Sequence, residues 1–201
     1  MSQMMQRPLL ISSLIEHAAQ NHGYTEIVSR TIEGGAAFTL HRSSYGEACK
    51  RAKKLANALT RLGVVKGDRI GTLAWNGYRH FELYYGVSGM GAVMHTINPR
   101  LFPEQLAYIA SHAEDKYIFF DLTFAPLIEA LATKVPGIKG FVAMTDRTSL
   151  AKALPASSIR NLLCYEELID AESDECNLMN NNGIAIMDWR GPDYCALWLL
   201  F

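Results

Sequence analysis

No stretch of about 18 apolar residues occurs anywhere in the 201-residue chain, so the sequence offers no membrane-spanning helix. Cysteine is sparse: Cys49, Cys164, Cys176 and Cys195 form no CxxC pair and share no spacing typical of zinc ligands. Charge of one sign is missing as well. The 19 basic and 20 acidic residues leave a formal net charge of −1. That balance removes the electrostatic ground for nucleic acid or an anionic membrane as a partner, although one pocket can still be basic on a neutral protein. Met1 to Arg7 lack the long apolar core and small-residue cleavage site of a secretory signal. The expectation is reduced thiols and a cytoplasmic location. No GxSxG turn surrounds Ser43 or Ser44, so neither is expected to be a nucleophile.

Hydrophobic residues make up 49% and charged residues 19% of the chain, enough to build one domain around a core. A helix is predicted from Pro8 to Asn21, with Leu10, Ile11, Leu14, Ile15 and Ala18 as its apolar face. Strands Thr25–Arg30 and Ala37–His41 follow, with Gly34-Gly35 as a hairpin turn. Ser44-Tyr45-Gly46-Glu47 fits a capping box that opens a helix running to Leu62. Its apolar stripe leaves Lys50, Arg51, Lys53, Lys54 and Arg61 facing mostly outward, as a solvated face rather than a binding patch.

From Asp68 the rhythm changes to short apolar strands alternating with helices. The strands are Arg69–Ala74, Gly91–His95, Lys116–Asp121 and Gly140–Met144. The helices are Gly77–Met90, Pro103–Ala113 and Phe124–Thr133. Residues 145–163 read as a connection with a short helix at Ser149–Leu154, and Tyr165–Ala171 as a further short helix. This alternation predicts an α/β fold with a partial doubly wound, mainly parallel sheet and flanking helices.

The polar residues mostly have structural readings. His17 and His22 stand five apart, not three or four, so they do not suggest a metal pair. His41, His80 and His112 are scattered. His95 sits at a strand exit and reads first as a hydrogen-bonded structural histidine. Arg100 reads as a turn contact or salt bridge before an anion site, and Ser43 and Ser44 as caps. Glu114 and Asp115 read as an acidic pair at an exposed helix end, with no reason for a shifted pKa.

Several fragments, in order, carry a resemblance. They are Ser44-Tyr45-Gly46-Glu47; Leu62-Gly63-Val64-Val65-Lys66-Gly67-Asp68-Arg69-Ile70; Trp75-Asn76 with Glu82-Leu83-Tyr84-Tyr85-Gly86; and Gly91-Ala92-Val93 through Ile97-Asn98-Pro99-Arg100-Leu101. Together they resemble the adenylate-forming superfamily of acyl-CoA synthetases, luciferases and peptide adenylation domains. The wording around Trp75 and His95–Leu101 is most similar to the medium- and long-chain fatty acid ligases. The likeness spans about residues 8 to 172.

The resemblance implies ATP-dependent joining of a carboxylate, such as a fatty acid, to AMP, followed by transfer to coenzyme A. It also implies magnesium, a loop rich in serine, threonine and glycine with a lysine after it, and a lysine in a mobile C-terminal domain. No such loop follows Glu175. Tyr194-Cys195-Ala196 leads into Leu-Trp-Leu-Leu-Phe, which has no glycine, hydroxyl or lysine. The expected division is therefore residues 8–175 as an incomplete N-terminal part of a synthetase domain and 176–201 as a divergent tail. No catalytic, cofactor-binding or metal-binding residue is carried over. The leading expectation is a fragment inactive alone and prone to aggregate. The alternatives are an acyl-binding or interaction module, a homodimer or pairing with a full-length synthetase, and a subunit complemented by another chain.

Overall fold

The computed structural model describes residues 10–33, 39–155 and 158–175. The chain opens with helix α1 (Ser12–His22), then an antiparallel pair, β1 (Glu26–Arg30) and β2 (Leu40–Ser44), then the long helix α2 (Tyr45–Arg61). Five parallel strands follow: β3 (Arg69–Leu73), β4 (Val93–Thr96), β5 (Tyr117–Phe120), β6 (Gly140–Ala143) and β7 (Leu162–Cys164). Between them run α3 (Tyr78–Gly89), α4 (Pro103–His112), α5 (Ala125–Lys134) and α6 (Arg147–Ala153), and α7 (Tyr165–Asp170) comes last. The strand order is β4-β3-β5-β6-β7. The expected parallel, doubly wound sheet is present.

Sequence alternation explains how one strand serves two cores. Every residue of β5 is buried. Tyr117 and Phe119 face the core formed with α2, α3 and α7, whereas Ile118 and Phe120 face the core formed with α4 and α5. In β6, Val142 joins the first core, and Phe141 and Ala143 join the second. Successive strand side chains point to opposite faces, so a strand covered on both sides must be apolar throughout. Among the described residues, the most extensive helix packing is between α2 and α3. A Cβ placed on Gly86 would lie 2.8 Å from Leu55 Cδ2 and 2.9 Å from the Ala52 carbonyl oxygen, so only glycine lets the two backbones approach this far.

The capping box forms as expected. Ser44 Oγ accepts from Glu47 N at 3.2 Å, and Glu47 Oε2 accepts from Ser44 N at 2.8 Å. Other expectations need correction. On α1, Ile15 is buried but Leu14 is 62% exposed, because only one edge of that helix meets α2. The second strand of the hairpin runs to Ser44, directly into the cap of α2, rather than ending at His41. The proposed turn at Gly34-Gly35 and the tail from Cys176 lie outside the described residues. The stretch read as a connection over 145–163 contains most of β7, whose three residues are too few to show a period of two.

Candidate functional site

In an open parallel sheet, ligands bind beyond the C-terminal strand ends where the winding direction reverses. Here β3 connects to β4 on one side, while β5 connects to β6 on the other. The reversal therefore falls between β3 and β5, which pair directly. Two loops leave those ends, 74–77 and 121–124. With residues 30–33, from the end of β1 onward, they enclose a small recess lined by Arg30, Glu33, Trp75, Arg79, His80 and Asp121, among others.

Asp121 is its centre. It follows the apolar run of β5 and is buried. Its Oδ2 accepts the Trp75 N–H at 2.6 Å, and its own N–H donates to the Leu73 carbonyl at 3.0 Å. Burial pushes its pKa up to about 7, although the Trp75 N–H and the charge of Arg79 pull the other way. His80, on the first turn of α3, is buried against Thr72, with Nε2 and Oγ1 3.3 Å apart. Burial lowers its pKa to about 4, against the opposing pull of the Trp75 backbone.

Behind the recess lies an ionic network. Arg79 donates from Nε to Glu166 at 2.6 Å and from Nη1 to Glu33 at 2.5 Å. Thr145 Oγ1, past the end of β6, donates to the same Glu33 oxygen at 3.3 Å. Arg51 donates to Glu166 and, through Nε, to Glu82. Tyr165 OH donates to Glu82 at 2.7 Å, and Tyr78 OH to Glu166 at 3.2 Å. Burial raises the pKa of Glu82, with Arg51 opposing. Burial would raise Glu166 too, but the two guanidinium groups outweigh it and hold that carboxyl below its usual value. The network ties the hairpin, α2, α3 and α7 to the sheet. Its charged groups are mutually engaged, so it reads as a brace behind the recess.

Two readings are corrected by these contacts. Arg51 belongs to the network and not to a solvated face. Asp115 is buried, with its carboxylate 2.9 Å from His95 Nδ1, so Glu114 and Asp115 are not an exposed pair. Burial raises the Asp115 pKa, against the opposing effect of His95. Gly71 makes room for that carboxylate, since a Cβ there would stand 2.8 Å from Asp115 Oδ2. Glu114 pairs with Arg69 at 2.7 Å.

The other candidates do not converge. The rings of His17 and His22 lie 6.2 Å apart, His41 stacks on Tyr78 and His112 on Tyr108. The Arg100 backbone N–H donates to Asn98 Oδ1 in the loop after β4. Ser43 pairs with Ile27 in the hairpin. Cys49 and Cys164 are free and buried, while Cys176 and Cys195 lie outside the described residues. Among the described residues no group of three or more His, Cys, Asp or Glu is placed to hold a metal ion. Magnesium is assigned no residue. No described helix is long and apolar enough to cross a membrane. Sequence reasoning missed Asp121 and Glu82. The usable signals were an acid closing an all-apolar strand and an acid beside the inward face of α3.

Comparison with known proteins places this geometry. The family described as AMP-binding enzyme matches residues 14–179. A 3-methylmercaptopropionyl-CoA ligase of Ruegeria lacuscaerulensis is 51% identical over 170 residues, which is 85% of this chain and 30% of that protein. A medium-chain-fatty-acid–CoA ligase of Ectopseudomonas oleovorans is 45% identical over 174 residues, 87% of this chain and 30% of the relative. The chain thus spans about three-tenths of the length of these curated relatives. The adenylation domain of a carboxylate reductase from Mycobacterium chelonae superposes with a TM-score of 0.66 at 15% identity, over 85% of this chain and 30% of that one. That last likeness speaks to fold alone. With a family match over most of its length and the sheet described above, the chain belongs to the AMP-binding enzyme family.

Proposed function

We propose that this chain is the N-terminal part of an acyl-CoA ligase acting on an aliphatic carboxylate of the fatty acid class, and that it does not catalyse the reaction alone. In that reaction a carboxylate oxygen attacks the α-phosphorus of ATP and pyrophosphate leaves. The thiol of coenzyme A then attacks the acyl carbonyl and AMP leaves. Charge developing on the phosphates needs preorganised donors, here a glycine- and hydroxyl-rich loop and a lysine. The observation that carries the first half is the high identity to acyl-CoA ligases over most of the chain. The second half rests on what the strand ends offer. Trp75 is bonded to Asp121, Arg79 to Glu33 and Glu166, and Thr145 to Glu33, so these groups form a scaffold beside a site.

Two measurements test the two halves separately. ATP–pyrophosphate exchange by the purified chain, across a series of fatty acids, should stay at the blank. Robust exchange with any acid overturns the claim of inactivity. A hybrid in which residues 12–175 replace the matching span of the medium-chain ligase should fold and keep fatty acid activation. A folded hybrid that binds ATP but activates no acid overturns the assignment to this class.

A further inference from the structure

Glu33 Oε1 accepts from Arg79 Nη1 at 2.5 Å and from Thr145 Oγ1 at 3.3 Å. Arg79 stands past the end of β3 and Thr145 past the end of β6, and β5 lies between those strands. The two donors therefore straddle the end of β5, at the reversal of the sheet, where a fold of this kind takes its ligands. Both donors are held by groups other than Glu33. Arg79 Nε donates to Glu166 at 2.6 Å, and Nη1 also donates to the Met144 carbonyl at 3.1 Å. The Thr145 N–H donates to the Ala143 carbonyl, and the Thr145 carbonyl accepts from Cys164 Sγ at 3.1 Å. Glu33 instead comes from outside the five-stranded sheet, just beyond β1 of the separate two-stranded hairpin. We propose that Arg79 and Thr145 form an oxyanion subsite at the end of β5, that Glu33 occupies it as an internal stand-in, and that a carboxylate or phosphoryl group of a ligand takes its place.

The donors suit an oxyanion. A guanidinium bonded to a carboxylate or a phosphate is a charge-assisted pair, shorter and stronger than a neutral hydrogen bond. Glu166, the Met144 carbonyl and the backbone of Thr145 keep the two donors in place, so neither has to be reorganised when one anion replaces another. The Arg79 and Glu33 side chains are only 11% and 18% exposed, and salt screens such a pair less than one at the open surface. Exchange also conserves charge. Glu166 stays bonded to Arg79 throughout, and Glu33, once released, can reach water. What keeps Glu33 in the subsite is proximity, because a group tethered on the same chain competes at an effective concentration of about a millimolar. Glu33 is thus an autoinhibitory contact, and the unmodified chain should bind free anions weakly. The subsite rests on this geometry and not on the proposed reaction, so the two fail separately: binding tests the subsite, and pyrophosphate exchange tests the reaction.

The test follows the Arg79 side-chain Nε–Hε resonance of the isotope-labelled full chain. It is titrated with sodium octanoate or inorganic phosphate, against sodium chloride at equal ionic strength. In Glu33→Ala at least one of the two anions should shift that resonance saturably. The affinity should be about tenfold or more above that of the unmodified chain, the worth of the charge-assisted bond removed. A response to octanoate alone assigns the subsite to a carboxylate, and a response to phosphate alone assigns it to a phosphoryl group. Thr145→Val in the same background should weaken binding by about tenfold. No saturable shift with either anion, an affinity equal to that of the unmodified chain, or binding indifferent to Thr145→Val overturns the proposal. Should Glu33→Ala fail to fold, Glu33→Gln carries the same comparisons, since it keeps the length of the side chain and removes its charge.

Discussion

Arg51 Nε donates to Glu82 Oε1 at 2.7 Å across the face where α2 meets α3. The Glu82 side chain is only 2% exposed, and its second oxygen accepts from Tyr165 OH. A buried pair of this kind is expensive to form and more expensive to break, because truncating one partner strands the other charge. Arg51→Met is therefore expected to destabilise the fold by about 3–5 kcal/mol, and Glu82→Gln, which keeps an acceptor for Tyr165, by less. Urea unfolding midpoints decide this. Equal, small losses in both variants would show the pair to be solvent-screened.

Gly86 and Gly137 make a second, paired prediction. A methyl at Gly86 meets the Ala52 carbonyl oxygen at 2.9 Å as well as a side chain, and a backbone atom cannot rotate away. Gly86→Ala is expected to cost about 1–3 kcal/mol, the usual penalty of overpacking. At Gly137 the same methyl meets nothing within 4 Å, so Gly137→Ala should leave stability unchanged or raise it by up to about 1 kcal/mol through the unfolded state. Thermal melts of the two variants side by side give the answer. A neutral Gly86→Ala would mean that α3 can slide on α2.

Local rules wrote themselves plainly into this sequence, and long-range partnerships did not. The Ser44–Glu47 capping box needs only four residues to be recognised, and it forms as read. The all-apolar Tyr117–Phe120 segment marks a strand covered on both faces before any neighbour is known. By contrast, the lysine- and arginine-rich face of α2 gives no hint that Arg51 turns inward. Its partners lie 31 and 115 residues away. Asp115 is similar: its burial depends on His95 and on the space left by Gly71, neither of which sequence spacing connects to it. The strand β7 was hidden for another reason, since three residues carry almost no periodic signal.

Stability should also depend on pH through Asp121. Its pKa is about 7 in the folded chain against an ordinary value of 3.8. The folded state thus binds the proton more tightly, and the contribution is fully present below the ordinary value and lost as pH rises through about 7. Between those limits the unfolding free energy should fall with pH, at up to about 1.4 kcal/mol per unit from this group. The Trp75 bond runs the other way and only moderates the loss, since burial dominates. Urea titrations at several pH values should show a shallower slope in Asp121→Asn. An identical slope in both proteins would assign the dependence to other groups.

The His95–Asp115 pair yields a prediction that separates hydrogen bonding from packing. The Asp115 side chain is fully buried and its carboxylate faces His95 Nδ1. Replacing His95 by phenylalanine keeps a ring of similar size but removes the donor. A buried carboxylate then loses its hydrogen-bond partner, which costs about 1–3 kcal/mol or more for a charged group. If the donor is what matters, the loss must depend on the charge it serves. In an Asp115→Asn background the stranded group is a neutral amide, and His95→Phe should cost clearly less. The two single variants and the double variant form a cycle, and a coupling energy of about 1 kcal/mol or more is expected for groups in direct contact. Equal costs of His95→Phe in both backgrounds would reduce the pair to a packing contact, leaving the shape of the imidazole, and not its N–H, as the reason for its place beside Gly71.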